Sequence, residues 1–213
     1  MCLPLGVLWA FINEIGFRAR ASASERYEAL MRPLVATNRV IWTIGHSTKS
    51  FEEFLDLLAE HRIQRLADVR HYPTSQRVPW ATKATLAAAL RERGIEYEHF
   101  EDLGGFRKPV SSSGNTGWRN AGFRGYADHM TSSEFGAALD RLMRLAGQAR
   151  TAFMCAEAVP WKCHRFLLSD SLVARGVRVE HILTSGTTQE HQLTKFAKVE
   201  GSLVTYPGPH KGV

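Results

Sequence analysis

Short apolar segments alternate along this chain with segments of helical periodicity, and this alternation limits the fold more than any other feature. The predicted strands cover residues 40–45, 65–69, 95–99, 151–155 and 177–183. The predicted helices follow capping sequences at Ser50 and Thr131 and also cover residues 82–93 and 164–175. Strands that alternate with helices form parallel sheets through right-handed crossovers. We therefore predict a single α/β domain, a mainly parallel sheet of about five strands with helices on both faces.

The predicted domain occupies residues 39–206, between an N-terminal extension over residues 1–38 and a tail over residues 207–213. Residues 1–12 are an apolar run that is shorter than the roughly 20 residues of a membrane-spanning helix. The run lacks the basic start of a secretory signal peptide, although Ala21 to Ala23 has the small residues of a cleavage site. Met31 is an alternative start of translation, so the sequence assigns the extension no role. We predict no membrane association.

Composition narrows the class of protein and its partners. Hydrophobic residues make up 44% of the chain and charged residues 23%, which excludes disordered, collagen-like and coiled-coil proteins. The three cysteines are an odd number and make no disulfide framework, which predicts a reducing, cytoplasmic location. The net charge of +6 suits an anionic partner, either a small molecule or a nucleic acid. The sequence does not constrain the oligomeric state.

Polar residues recur where the predicted strands end. His46 and Ser47 follow the first strand, and Asp68 and Arg70 end the second. Because ligands of open parallel sheets bind beyond the carboxyl ends of the strands, we expect these residues to converge on one site. The other members of the set are Tyr72, Ser75, Gly104, Gly105, Cys155, Glu157, Cys163, His164 and Arg165.

We divide this set by chemistry. The predicted catalytic residues can move a proton or attack a substrate, and they are Cys163, Cys155, Glu157, Asp68 and His46. The predicted substrate-binding residues are Arg70, Ser47, Tyr72, Ser75, Gly104, Gly105, His164 and Arg165. Structural roles are the alternative for several of them: an ion pair between Asp68 and Arg70, or burial of Cys155 as a small core residue.

Five short motifs occur in order along the chain. They are TIGHS at 43–47, DVR at 68–70 with Pro73 and Ser75 after it, LGG at 103–105, MCAE at 154–157 and CHR at 163–165. Together they resemble the motifs of domain-of-unknown-function family 488 (DUF488) over residues 41–183. The resemblance implies a site shared by these motifs. It implies no particular reaction, because the family has no assigned activity, and residues 1–38 lie outside it.

Two kinds of covalent chemistry fit the candidate residues. In the first, a thiolate at Cys163 or Cys155 performs sulfur or acyl transfer, with His46 or His164 as base and the two arginines holding an anion. A thiolate at Cys163 would gain stability from the start of the following helix. In the second, a carboxylate acts as general acid or base on a nucleotide, and the candidates for this role are Glu157 and Asp68.

A metal site is a third alternative. Cys155, Cys163 and a histidine, either His46 or His164, are ligand types that suit zinc. Seven residues separate the two cysteines, however, and the chain has no C-x-x-C pair, so we predict no metal ligands. No cofactor motif is present, since neither G-x-x-x-x-G-K-[ST] nor G-x-G-x-x-G occurs.

A non-catalytic binding module is the alternative from another class. The loop over residues 104–125 mixes cations with aromatic residues, which suits single-stranded nucleic acid: Arg107, Lys108, Trp118, Arg119, Phe123 and Arg124. The simpler interpretation is a solvated basic loop whose aromatic residues pack into the core. Our leading interpretation is an enzyme, a hydrolase or transferase, that acts on a nucleotide, nucleic-acid or other phosphate-bearing substrate.

Overall fold

The computed structural model describes residues 40–208, so the predicted extension, Met31 and most of the predicted tail lie outside the described residues. The strands are β1 (Val40–Gly45), β2 (Arg65–Asp68), β3 (Glu96–His99), β4 (Thr151–Cys155), β5 (Arg178–Thr184), β6 (Thr187–Glu190), β7 (Lys198–Glu200) and β8 (Leu203–Thr205). The helices are α1 (Phe51–Glu60), α2 (Lys83–Arg91), α3 (Ala121–His129), α4 (Ser133–Ala146) and α5 (Arg165–Val173). Among these helices, none combines the length and the apolar composition needed to cross a lipid bilayer.

Six strands form one sheet in the order β3-β2-β4-β1-β5-β6. The first five are parallel to their neighbours, which confirms the predicted mainly parallel sheet, and β6 pairs antiparallel with β5. Gly45 pairs with Cys155, and Asp68 pairs with Met154. The carboxyl ends of β1, β2 and β4 therefore lie side by side at one edge of the sheet.

Helices cover both faces of the sheet, as predicted. Successive residues of a strand point to opposite faces, so Ile41 and Ile44 of β1 join different apolar clusters. Ile44 packs with α1 and α2, through side chains such as Phe54 and Leu86. Ile41 packs on the other face with residues of α3, α4 and α5. Burial on both faces explains why the central strands are continuous apolar runs.

Side-chain caps set the starts of two helices. At α1 the Ser50 hydroxyl accepts a hydrogen bond from the Glu53 amide, and the Glu53 carboxylate accepts one from the Ser50 amide. This reciprocal pair confirms the predicted capping box. At α4 the cap is Ser132, which accepts from the Phe135 amide, so the helix begins one residue later than the Thr131 capping sequence predicts.

The structure corrects the predicted loop over residues 104–125, because its last residues belong to α3. Asn120 caps this helix by accepting a hydrogen bond from the Phe123 amide. Gly125 is a packing residue, since a Cβ there would lie 2.3 Å from the Arg107 carbonyl oxygen. The sequence also does not predict β6, β7 and β8. Most of their residues are exposed, so they carry no apolar pattern.

A buried carboxylate ties α5 to the C-terminal part of the domain. Asp170 is fully buried and accepts hydrogen bonds from His191 Nε2 at 2.8 Å and from the Tyr206 hydroxyl at 2.8 Å. The backbone amide and hydroxyl of Thr194 also donate to it, at 3.0 and 2.7 Å. Four donors compensate the loss of hydration of this carboxylate. They also fix the segment after β6 against the helix that begins at the sheet edge.

We expect Asp170→Ala to lower the free energy of unfolding by about 3–5 kcal/mol, because the donors around the carboxylate lose their acceptor in the core. The matched control is Asp56→Ala on the exposed side of α1, with a change within about 0.5 kcal/mol. Chemical denaturation of the full chain measures both. Equal losses in the two variants would contradict the structural role of Asp170.

Candidate functional site

A cavity of about 540 Å³ opens at the carboxyl ends of β2 and β4. Its wall is formed by the segments that follow these strands and by the start of α5. The structure brings together seven of the predicted site residues here: Arg70, Tyr72, Gly105, Cys155, Glu157, Cys163 and His164. About half of the predicted site residues therefore converge on one cavity, at the strand ends where ligands of parallel sheets bind.

Two thiols and an imidazole form a cluster on the cavity wall. The Nδ1 atom of His164 lies 3.6 Å from Cys163 Sγ and 3.9 Å from Cys155 Sγ. Its Nε2 atom lies 2.9 Å from the backbone carbonyl oxygen of Val69. Because a carbonyl oxygen only accepts, Nε2 carries the proton in the neutral ring and Nδ1 presents a lone pair to the sulfurs. The imidazole is thus oriented as a proton acceptor or a metal ligand.

The two thiols perturb each other's ionisation. The hydrogen bond to Cys163, together with burial, raises the pKa of the Cys155 thiol well above its ordinary value. Burial acts to raise the pKa of Cys163 as well, but the Cys155 hydrogen bond and the nearby His164 and Arg165 lower it well below its ordinary value. The Arg165 amide at the start of α5 also points to Cys163 Sγ, at 3.5 Å. Of the two thiols, Cys163 is therefore the one that loses its proton more readily.

Arg70 reaches the cavity from the end of β2. Its Nε and Nη2 atoms donate to the two carboxylate oxygens of Asp68 at 2.8 and 2.5 Å, and the Tyr97 hydroxyl donates to the same carboxylate. Burial acts to lower the pKa of Arg70, but the hydrogen bonds and charge of Asp68 raise it above its ordinary value. A side chain fixed in this way presents its remaining N–H groups in one direction.

His46 supports Arg70 and does not line the cavity. Its Nδ1 donates to the Ser47 carbonyl oxygen at 2.9 Å, and its Nε2 faces Nη1 of Arg70 at 3.4 Å. Burial and the charge of Arg70 lower the pKa of His46 to about 4. The ring is therefore neutral at physiological pH. The lone pair on its Nε2 atom accepts a hydrogen bond from Arg70 Nη1. This position suits a positioning residue and does not fit the predicted catalytic base.

Four other predicted residues also lie outside the cavity lining. Asp68 is fully buried behind Arg70 and is a positioning residue instead of a general acid or base. Ser47 adopts a positive φ of 50° and donates its amide to the Ala156 carbonyl oxygen. Ser75 accepts a hydrogen bond from the Val78 amide, and Gly104 packs on His71. These residues shape the loops around the site without facing it.

Arg165 departs furthest from its predicted role in holding an anion. Only 1% of its surface is exposed, and it lies below the site and outside the cavity lining. Its Nη1 donates to the Thr43 hydroxyl at 2.6 Å, and its Nη2 donates to the Glu157 carbonyl oxygen at 2.6 Å. Arg165 therefore joins β1 to the segment after β4, and it has no carboxylate partner among residues 40–208.

An aromatic pair lies beside the cavity, formed by the predicted substrate-binding residue Tyr72 and by Phe106, which the sequence pattern does not single out. Tyr72 is 62% exposed and Phe106 is 84% exposed, and their ring centroids are 5.8 Å apart. Phe106 has a φ of +59°, which is costly for a bulky residue and is found mainly where surrounding structure or function requires it. Tyr72 lies two residues after the DVR motif and Phe106 directly follows LGG, so the sequence signal for this pair is its position beside the two motifs. The other unpredicted lining residues are His71, Thr74, Asn120, Gly122, Phe123, Ala156 and Lys162.

The aromatic residues of the predicted basic loop pack mostly inward. The Trp118 ring lies 4.9 Å from Phe123, 5.0 Å from Phe196 and 5.5 Å from Tyr206, between ring centroids. Arg107 donates to backbone carbonyl oxygens of the loop itself. This packing agrees with the simpler interpretation of the loop, in which its aromatic residues belong to the core.

The family model described as "Domain of unknown function DUF488" matches residues 50–172, more than half of the chain. The match covers four of the five motifs in full, and the TIGHS motif precedes it. No curated protein and no solved structure matches the chain.

The contact between β1 and the segment after β4 has no room for a side chain at Gly45. A Cβ there would lie 1.8 Å from the Glu157 carbonyl oxygen and 2.9 Å from Arg165 Nη2. We expect Gly45→Ala to lower the free energy of unfolding by about 2 kcal/mol or more. Gly136→Ala in α4 is the matched control, and with open space around its Cβ it should raise stability by about 0.5–1 kcal/mol. A stable Gly45→Ala variant in chemical denaturation would refute this packing argument.

Proposed function

The chain belongs to the DUF488 family, and we propose that it is an enzyme that binds a nucleotide or another phosphate-bearing substrate in the cavity beyond β2 and β4. One observation carries the proposal: a fixed, charged arginine at the cavity, next to a cluster of reactive side chains. The family match supplies no activity, so this proposal is based on the residues of the site.

Arg70 is suited to hold an anionic group. A guanidinium has five N–H donors, and the contacts with Asp68 and His46 use three of them. Within the described part of the chain, one N–H on each Nη atom keeps no protein partner. Two donors side by side match two oxygens of a phosphate. Since Asp68 offsets much of the positive charge, we expect Arg70 to act mainly through directed hydrogen bonds, with Lys162 adding charge at the wall.

The aromatic pair favours a nucleotide among phosphate-bearing compounds. Tyr72 and Phe106 offer exposed ring surface beside the cavity that Arg70 lines. Nucleobases stack on such rings, and stacking is tolerant of base identity. The Cys163 cluster lines the same cavity as Arg70 and the aromatic pair, so a nucleotide bound there would lie beside it.

Thiol-based sulfur or acyl transfer is the second candidate function. The 3.6 Å separation of Cys163 Sγ and His164 Nδ1 favours it, because a thiol beside an imidazole lone pair is a common nucleophile arrangement. A non-catalytic binding module would use Arg70 and the aromatic pair without the thiols. Turnover that is lost in Cys163→Ser, with ligand affinity unchanged, separates an enzyme from such a module.

We expect Arg70→Lys to weaken binding of inorganic phosphate and of adenosine monophosphate by about tenfold or more, because lysine keeps the charge against Asp68 but loses the two-pronged donor geometry. Isothermal titration calorimetry of the full chain measures both affinities. Arg144→Lys, on the exposed side of α4, is the matched control and should bind as the unmodified chain does. Unchanged affinities in Arg70→Lys, or no binding of either ligand to the unmodified chain, would overturn the proposal.

We expect Tyr72→Ala and Phe106→Ala each to weaken binding of adenosine monophosphate by about tenfold, because each removes a stacking surface. Affinity for inorganic phosphate should stay the same, since that ligand has no base. The same titrations provide the comparison. Equal affinities of both variants and the unmodified chain for the nucleotide would remove nucleotides as the preferred substrate class.

A further inference from the structure

The sulfur and nitrogen atoms of the Cys155–Cys163–His164 cluster have the separations of metal ligands. Tetrahedral zinc, with Zn–S of about 2.3 Å and Zn–N of about 2.0 Å, sets sulfur and nitrogen ligands about 3.5 Å apart and two sulfurs about 3.8 Å apart. The two S···N distances are 3.6 and 3.9 Å, and all three ligand atoms lie within 4.8 Å of one another. The sulfurs thus need to close by at most about 1 Å around an ion.

We propose that Cys155, Cys163 and His164 bind one zinc ion through their two Sγ atoms and Nδ1. The chemistry of this donor set selects the metal: two thiolates and an imidazole suit zinc, whereas magnesium and calcium require oxygen ligands. Two thiolates also neutralise a divalent ion, which favours its placement between the two buried cysteines. The proposal goes beyond phosphate binding and does not depend on it.

The surroundings of the cluster match those of metal ligands. A histidine that binds a metal through one ring nitrogen usually donates the other N–H to a carbonyl or carboxylate oxygen. His164 does so through Nε2 to the Val69 carbonyl oxygen at 2.9 Å, which directs the Nδ1 lone pair to the two sulfurs. The Arg165 amide at 3.5 Å from Cys163 Sγ is placed to donate to a zinc-bound thiolate.

Three protein ligands leave a fourth position, and this position faces the cavity. All three ligand residues line the cavity. Gly105 keeps space beside the imidazole, since a Cβ there would lie 2.9 Å from His164 Nδ1. An open fourth position occupied by water is typical of catalytic zinc, in contrast to the closed coordination of structural zinc.

Charge favours an anion in that fourth position. Zinc with two thiolates and a neutral imidazole has no net charge, and the buried Arg165 guanidinium below it has no carboxylate partner within residues 40–208. A hydroxide or a phosphate oxygen on the metal would balance this guanidinium. Arg70 lines the same cavity with free donors, so an anion bound there would have both the metal and Arg70 in its surroundings.

Metal content and metal titration of the full chain test the proposal. The chain, purified without an affinity tag, is fully reduced, stripped with a chelator and titrated with Co²⁺. We expect one equivalent of Co²⁺ to produce a thiolate-to-cobalt charge-transfer band and the visible bands of tetrahedral cobalt, and one equivalent of Zn²⁺ to abolish both. Mass spectrometric metal analysis should find one zinc per chain after reconstitution and desalting.

Matched variants assign the ligands. Cys155→Ser and Cys163→Ser should lose stoichiometric zinc, whereas Cys2→Ser, at the third cysteine, should retain it. His164→Gln should also lose zinc, although its amide nitrogen can still donate to Val69, so loss in this variant reports ligation rather than folding. Circular dichroism of each apo variant checks that it folds. A reduced chain that takes up neither metal, or equal loss of zinc in Cys2→Ser and Cys163→Ser, would overturn the proposal.

Alkylation of the cysteines separates the metal site from a free nucleophile. A zinc site predicts that Cys155 and Cys163 are protected from iodoacetamide in the reconstituted chain and become reactive when a chelator is added. Rapid alkylation of Cys163 that zinc does not slow would overturn the metal site and favour thiol chemistry. Arg70→Lys should still bind one zinc, so failure of phosphate binding and failure of metal binding are distinguishable.

Discussion

The buried guanidinium of Arg165 holds together the parts from which the site is made. It donates to Thr43 on β1 and to the Glu157 carbonyl oxygen after β4, while its own backbone begins α5. Cys163 and His164 immediately precede it, so the same contacts fix their distance from Cys155 at the end of β4. A side chain at Gly45 would occupy this space, which is why the glycine of the TIGHS motif and the arginine of the CHR motif act as one unit.

The two arginines of the motifs, Arg70 and Arg165, contribute differently to the electrostatics of the site. Arg70 is paired with Asp68, so it offers donor geometry with little net charge. Arg165 has no acidic partner within residues 40–208, so it supplies positive potential beneath the thiols but no contact to a ligand. Under the proposed function, recognition of an anion would therefore depend on a few directed donors and a buried charge. The net charge of +6, spread over the whole chain, adds attraction at long range but no selectivity.

The sequence predicts the strands, which depend on local apolar patterns. It does not predict side-chain positions that are set by contacts with residues distant in the chain. Strands β1 and β4 follow from apolar runs, and the meeting of their ends follows from parallel pairing. The sequence does not predict that Arg70 lines the cavity while Arg165 is buried behind it, because both are arginines close to a strand end or a helix start. Arg165 is held in the interior by Thr43, the Glu157 carbonyl oxygen and the space left at Gly45, whereas Asp68 holds Arg70 at the cavity. The turn at Pro160–Lys162 brings both sulfurs to His164, a proximity that the seven residues between the cysteines do not predict.

The second thiol distinguishes the two chemistries that the cluster can support. A nucleophile needs one thiolate and one base, which Cys163 and His164 supply without Cys155. In that mechanism Cys155 would only share a proton with the nucleophile, and a hydrogen bond that stabilises a thiolate also makes it less reactive. In a zinc site both sulfurs are ligands, and Nδ1 of His164 is the third. The hydrogen bond from His164 Nε2 to the Val69 carbonyl oxygen orients the ring for this role. Every polar atom of the cluster then has a partner, and the remaining coordination position faces the cavity that Arg70 lines.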